Sequence, residues 1–191
     1  MRLVLANVQK ADSQQADYSF TRTSVRSDLN ADGSVKKRYP EVVVQVTPLS
    51  RRRAEDTSWL AEFPEALEYK KVGEEEIAGR VTWVLECSPR AGYRARSLRA
   101  RVFEKTRGRV WIDVADSQLV RVDAAVFDTV NIGWGMAAKI QKGTRFQIDR
   151  RKLPDGAWLP ESQTIRFAAK VMLVKSLAVE ESARFSGYRR P

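Results

Sequence analysis

Apolar and polar residues alternate with a period of two along most of the chain, which is the pattern of half-buried β-strands. The segment 108–127, GRVWIDVADSQLVRVDAAVF, shows it well, because two alternating runs flank a polar break at 115–118. We therefore expect a hairpin here. One row of side chains should come from each strand, first Val110, Ile112 and Val114, then Val120, Val122, Ala124 and Val126. Trp111 and Asp113 have the opposite parity.

The rest of the chain predicts a mainly β (α+β) protein. Residues 2–15 have helix-like spacing without Gly or Pro, and a hairpin follows over 18–48, with Pro40 and Pro48 at strand ends or edges. We predict a single domain over 1–191, with an N-terminal helix over 1–16 and an antiparallel half-barrel with helical or loop insertions over 18–191. About nine or ten strands should form one curved, open antiparallel meander covered by one or two helices.

Composition fits a globular chain, with 43% hydrophobic and 30% charged residues. The formal charge of +10 attracts anions without choosing among them. The opening MRLVLANVQK lacks the apolar core of a signal peptide, and no run is long enough to span a bilayer. We expect a soluble chain whose export signal, if it had one, was removed before residue 1.

Catalysis is not expected. The chain has no histidine, which excludes histidine-dependent nucleophilic catalysis and histidine-ligated zinc. Cys87 lies in an alternating apolar strand, and the consecutive carboxylates Glu74, Glu75 and Glu76 point to alternate faces. We predict a protein that is not an enzyme and has no metal and no cofactor.

Binding remains as the functional class. Most aromatic residues share a strand face with aliphatic residues, which indicates core or cavity lining and argues against nucleic acid as a partner. One or two helices are few for a sheet of this size. They can leave a hydrophobic cleft on the sheet uncovered, or they can pack against it to form a filled core. Physical reasoning alone leaves these two outcomes open.

A set of motifs in fixed order resembles the LolA-like outer-membrane lipoprotein-sorting family of Gram-negative bacteria, which also includes LolB-type and RseB-type proteins. The motifs are YSFTRTSVRSDLNADGSV near the start, then Gly79-Arg80 with Trp83 and Pro89, Gly108 to Asp113, Gly133-Trp134-Gly135, Lys142-Gly143-Thr144 and Asp155 to Pro160. The resemblance covers nearly the whole chain.

The resemblance implies a non-catalytic periplasmic protein that holds a lipid, an acyl chain or a lipoprotein in the concave apolar face of a half-barrel. The alternative is an RseB-like envelope sensor that binds a protein partner and carries no lipid. Peripheral membrane contact fits either function. Together with the alternation, the resemblance gives these cavity candidates: Trp83, Leu85, Ile112, Val122, Val126, Phe146, Ile148, Phe167 and Leu173. Trp134 and Met136 are lid or gate candidates, and Arg51, Arg52 and Arg53 are candidates for contact with lipid head groups.

Overall fold

The computed structural model describes residues 1–48, 62–132, 138–171 and 175–190. It has two α-helices, one 3₁₀ helix and twelve strands in these ranges. In chain order they are α1 (Arg2–Gln15), β1 (Ser19–Leu29), β2 (Val35–Arg38), β3 (Val42–Val46), α2 (Phe63–Ala66), β4 (Leu67–Ile77), β5 (Arg80–Pro89), the 3₁₀ helix (Ala100–Lys105), β6 (Thr106–Asp113), β7 (Leu119–Val126), β8 (Val130–Ile132), β9 (Ala138–Ile140), β10 (Arg145–Lys152), β11 (Trp158–Val171) and β12 (Lys175–Arg189).

The strands form one sheet in the order β2-β1-β12-β11-β10-β7-β6-β5-β4, and every pair is antiparallel. In the described part of the chain β2 and β4 do not pair with each other, so the sheet is open. The expected open antiparallel sheet with few helices is confirmed. The simple meander is wrong in one respect, because β1 pairs with β12, so the first and last strands lie side by side.

Both proline expectations fit the first hairpin. β2 and β3 pair with successive parts of β1, and Pro40 lies between them, where a residue without an N–H does not interrupt a ladder. Pro48 follows the end of β3. None of the helices in the described ranges has the length and apolar composition to cross a membrane.

The helices pack on one face of the sheet, which we call the apolar face. The main buried cluster joins Val110, Ile112 and Val126 of the sheet to helical side chains such as Val4 and Phe103. Helix α1 was expected from its spacing, and its stripe Val4, Val8 and Ala11 faces inward. The opposite side of the sheet, called the polar face, carries the charged side chains of Arg107, Arg145 and Arg166 and also holds the buried Val84 and Trp111.

Helix α1 is fixed to the sheet by polar contacts as well as by packing. The side-chain amide of Asn7 donates to the carbonyls of Asp116 (3.3 Å) and Ser117 (3.1 Å) in the β6–β7 turn. The Arg150 guanidinium donates to Asp12 of α1 at 2.8 Å. The helix therefore covers the sheet in a defined position.

The hairpin at 108–127 forms as expected, with Val110 opposite Val122. The predicted second row is wrong at Val120, because the register shifts between Trp111 and Ile112 and Val120 packs in a separate cluster with Trp111 and Trp158. A β-bulge of this kind turns one residue out of the alternation. Trp111 lies on the face opposite Val110, is buried, and donates its indole N–H to Glu75 at 2.8 Å.

Candidate ligand-binding site

The strand register places all the described cavity candidates on the apolar face. Trp83 lies opposite Ile112, and Val122 lies opposite Ile148. The remaining candidates, Leu85, Val126, Phe146 and Phe167, follow the same parity within their strands. Because neighbours in register project to the same side of a sheet, these side chains share one surface although they come from five strands.

The middle of this surface is filled by protein. Ile112 and Val126 are buried in the main cluster, and Leu85, Val122 and Phe146 pack against it. Val102 and Phe103 of the 3₁₀ helix belong to the same cluster. These candidates therefore contribute to the core of the protein beneath the helices.

A second part of the apolar face is less covered. Ile148, Ile165, Phe167 and Val179 are half-buried and, among the described residues, belong to none of the buried clusters. Ile165 lies opposite Phe146, and Phe167 lies opposite Val179. We call Phe146 and these four residues the apolar patch. It spans β10, β11 and β12.

One row of side chains crosses the patch perpendicular to the strands. The part of the row from β1 to β10 consists of four cross-strand neighbours in register. They are Arg26, Glu181, Ile165 and Phe146. At the usual strand spacing this part of the row is about 14 Å long. Arg26 is exposed and Ile165 and Phe146 are half-buried, so the row runs from a charged edge toward the core. Arg22, on the same face of β1, forms an ion pair with Glu181.

The other predicted residues lie elsewhere. Trp83 shares the apolar face but sits near its margin, 39% exposed, with the Lys71 ammonium 5.0 Å from the centre of its ring. Six candidates fall outside the described residues, namely Leu173, Trp134, Met136, Arg51, Arg52 and Arg53.

Sequence reasoning left out Ile165 and Val179. Ile165 alternates with Phe167, so period two could have found it, but Val179 is followed by two glutamates that hide its alternation. The cross-strand register, which places Val179 beside Phe167, is the observation that includes it.

The apolar face offers little for chemistry. Cys87 is buried, and desolvation raises the pKa of its thiol to about 11, so the reactive thiolate is scarce at neutral pH. Burial also raises the pKa of the Tyr69 hydroxyl, which lies opposite Cys87. No group of three or more potential metal ligands occurs within the described ranges. The arrangement suits contact with an apolar ligand.

A groove of about 860 Å³ lies on the polar face and was not expected from the sequence. Its charged lining comes from β4, β5, β6, β7 and β10, and consists of Glu68, Lys70, Glu86, Arg107, Arg109, Asp123 and Arg145. A smaller hollow of about 250 Å³ shares Arg145 and reaches Arg166 and Glu180. This groove is thus charged and lies on the side away from the helices.

No protein-family model and no curated protein sequence matches the chain. Solved structures similar to it include a putative outer-membrane lipoprotein-sorting protein domain from Vibrio parahaemolyticus, with 10% identity, 97% of this chain and 91% of that chain covered, and a TM-score of 0.38. A DUF1329 family protein from Desulfovibrio piger has 16% identity, 98% and 92% coverage and a TM-score of 0.36. A LolA superfamily protein from Nitrosomonas europaea has 10% identity, 98% and 93% coverage and a TM-score of 0.33.

Proposed function

We propose that the protein is a non-catalytic binding protein that holds an acyl chain or a similar apolar ligand against the apolar patch. The observation that carries the proposal is the patch itself, where large apolar side chains from three adjacent strands remain half-buried beside a filled core. Covering such surface removes it from water and stabilises a complex by about 25 cal/mol per Å².

The charges beside the patch suit an amphipathic ligand. Arg26 stands at the outer end of the row and Arg22 lies on the same face of the same strand. An acyl chain lying along Ile165 and Phe146 would place a polar head beside Glu181 and near these guanidinium groups, which pair with Glu181 and Asp28. Lipid or lipoprotein acyl chains are therefore the ligand class that we propose.

The filled centre of the apolar face favours a second candidate function. Ile112, Val126 and Phe103 already pack together. A filled centre supports an interaction module that binds an envelope protein and carries no lipid. The two functions differ in whether the half-buried patch accepts a chain. Periplasmic location and a role in outer-membrane lipoprotein sorting remain predictions from the sequence resemblance.

Lipid extraction and native mass spectrometry of the purified protein test the proposal first. We expect a co-purified lipid, or saturable binding of a fluorescent C16 fatty acid or a lipopeptide to the delipidated protein. Phe167→Ser and Ile148→Asn should each raise the Kd about tenfold, since each removes apolar contact area. Val43→Thr is the matched control, because Val43 is exposed and lies on the polar face.

Two results would contradict acyl-chain binding at the apolar patch. A protein that contains no lipid and binds neither probe is not a carrier, and the interaction module then stands. Equal weakening by Val43→Thr and Phe167→Ser would mean that the probe adheres to apolar surface in general.

A further inference from the structure

A row of arginines crosses the polar face and has no role in the apolar site. Arg107 of β6, Arg145 of β10 and Arg166 of β11 lie in one line of cross-strand partners, separated only by Ala125 of β7. At the usual strand spacing, Arg107 is about 10 Å from Arg145 and Arg145 is about 5 Å from Arg166. The row follows the floor of the charged groove into the smaller hollow.

This placement is unfavourable for the sheet alone. Arg145 and Arg166 are direct cross-strand neighbours, and like charges in that position destabilise a sheet. Each is balanced by a carboxylate, Arg145 by Asp123 at 2.7 and 2.9 Å and Arg166 by Glu180 at 2.8 and 3.0 Å. A local conflict of this kind is expected where a surface has a function.

Arg107 is held differently from the other two. It is exposed, and its guanidinium lies 5.4 Å from the centre of the Phe127 ring. The preceding segment, 90–105, carries six Arg or Lys residues and one carboxylate, Glu104. Some of these cations are paired, Arg96 with Glu62 and Glu65 and Lys105 with Asp128. Ala125 leaves open space between Arg107 and Arg145.

The charges that line the groove on the polar face favour one class of anion over another. A second line beside the arginine row alternates in charge, with Lys70, Glu86, Arg109 and Asp123 as successive cross-strand partners. The carboxylates in that line repel a dense polyphosphate. An extended polypeptide of mixed composition can present acidic side chains to the arginine row and other polar groups to the alternating line.

We propose that the arginine row is a docking site for an extended acidic segment of a partner protein, on the face opposite the apolar patch. Carboxylates of the segment pair with Arg107, Arg145 and Arg166, partly in place of Asp123 and Glu180. Exposed glutamates on one side of an extended chain repeat about every 6.8 Å, within the reach of long guanidinium side chains in this row.

The test uses the whole chain and a fluorescein-labelled peptide of five Glu-Ser repeats, measured by anisotropy at 50 and 300 mM NaCl. We expect saturable binding that weakens at high salt and is absent for the matching Lys-Ser peptide. Arg107→Gln should weaken binding about three-fold. Asp123→Asn should tighten it, since Arg145 loses its competing carboxylate. Arg38→Gln, an exposed change on β2, should leave it unaltered.

A merely structural role for the carboxylates predicts that Asp123→Asn weakens binding or does nothing, and either result overturns the proposal. So does binding of pyrophosphate or of phosphatidylglycerol vesicles without binding of the peptide. Failure of this test leaves acyl-chain binding intact, because Arg107→Gln does not touch the apolar patch. Loss of acyl-chain binding in turn leaves the peptide result unchanged.

Discussion

Asp113 illustrates how a single residue joins strands β5 and β6 to the β6–β7 turn. Its side chain is 1% exposed, and both carboxylate oxygens accept hydrogen bonds from Arg80 at 2.7 and 2.9 Å. The backbone N–H of Asp116 donates to the same carboxylate at 2.7 Å. The β5 and β6 strands are thereby joined to the β6–β7 turn.

Asp113→Ala should lower the free energy of unfolding by about 2 kcal/mol, because the backbone N–H of Asp116 and the Arg80 guanidinium lose a buried acceptor, although Arg80 keeps its contact with Asp116. Urea denaturation measures the change. Arg109→Gln breaks the exposed pair with Glu86 and should alter stability by less than about 1 kcal/mol. Equal effects of the two changes would contradict the role assigned to Asp113.

Asp116 makes stability depend on pH. Hydrogen bonds from Lys152 and the Trp158 indole, helped by the Lys152 and Arg80 charges, hold the pKa of Asp116 below its ordinary value of 3.8. The unfolded chain therefore binds this proton at a higher pH than the folded protein does. The stabilisation is full near neutral pH and decreases below about pH 5 as the unfolded state becomes protonated.

Asp116→Asn removes this linkage. The difference in free energy of unfolding between the native protein and the variant should be largest near pH 7 and shrink as the pH falls through the folded pKa. Urea titrations at several pH values give the comparison. A difference that stays constant with pH would mean that the charge of Asp116 does not contribute.

At the scale of elements, the β6–β7 pair shows a close approach that depends on glycine. A Cβ atom added to Gly108 would lie 2.2 Å from the carbonyl oxygen of Asp123 and 2.5 Å from the Cα of Ala124, both in the adjacent strand. Such contacts force the strands apart. Gly73, in the bulge of β4, has no atom within 4 Å of the same added position.

Gly108→Ala should therefore lower the free energy of unfolding by about 3 kcal/mol. Gly73→Ala is the matched control and should be neutral or stabilise by about 0.5 kcal/mol, since alanine restricts the unfolded chain more than glycine does. Thermal or urea unfolding of both variants decides the point. A tolerated Gly108→Ala would contradict the close packing of β6 on β7.

The alternation in the sequence predicts individual helices and strands better than it predicts which strands pair with one another. Helix α1 and the hairpins follow from local spacing, and the shared face of Trp83 and Ile112 follows from parity. The bulge that diverts Val120 does not, because it depends on the Trp111 cluster formed by distant strands. The β1–β12 pairing joins residues far apart in sequence, and no local pattern contains it.

For the candidate site, too, the sequence predicts which residues share a face but not how deeply each is buried. Parity groups Phe146, Ile148 and Phe167 on one face, whereas the degree of burial depends on where the helices pack. Of the predicted cavity residues, Ile112 and Val126 lie in the buried core, whereas the apolar patch also contains Ile165 and Val179, which were not predicted. The arginine row needs the order of strands β6, β7, β10 and β11, which the sequence does not state.

Over the residues that the structure describes, the whole molecule is an open sheet with an apolar and a polar face. Helices cover the centre of the apolar face and leave the apolar patch half-buried, while the polar face carries the charged groove. Because the two surfaces are back to back, an apolar ligand and an acidic partner segment could occupy the sheet together.

Methyl NMR with a spin-labelled stearate tests the central claim most directly, since paramagnetic broadening reports distance to the bound chain. We predict selective broadening of Ile148, Ile165 and Val179, while the exposed Val43 on the polar face keeps its intensity. Broadening that is absent at saturating stearate, or equal at Val43 and Ile165, would contradict acyl-chain binding on the apolar patch.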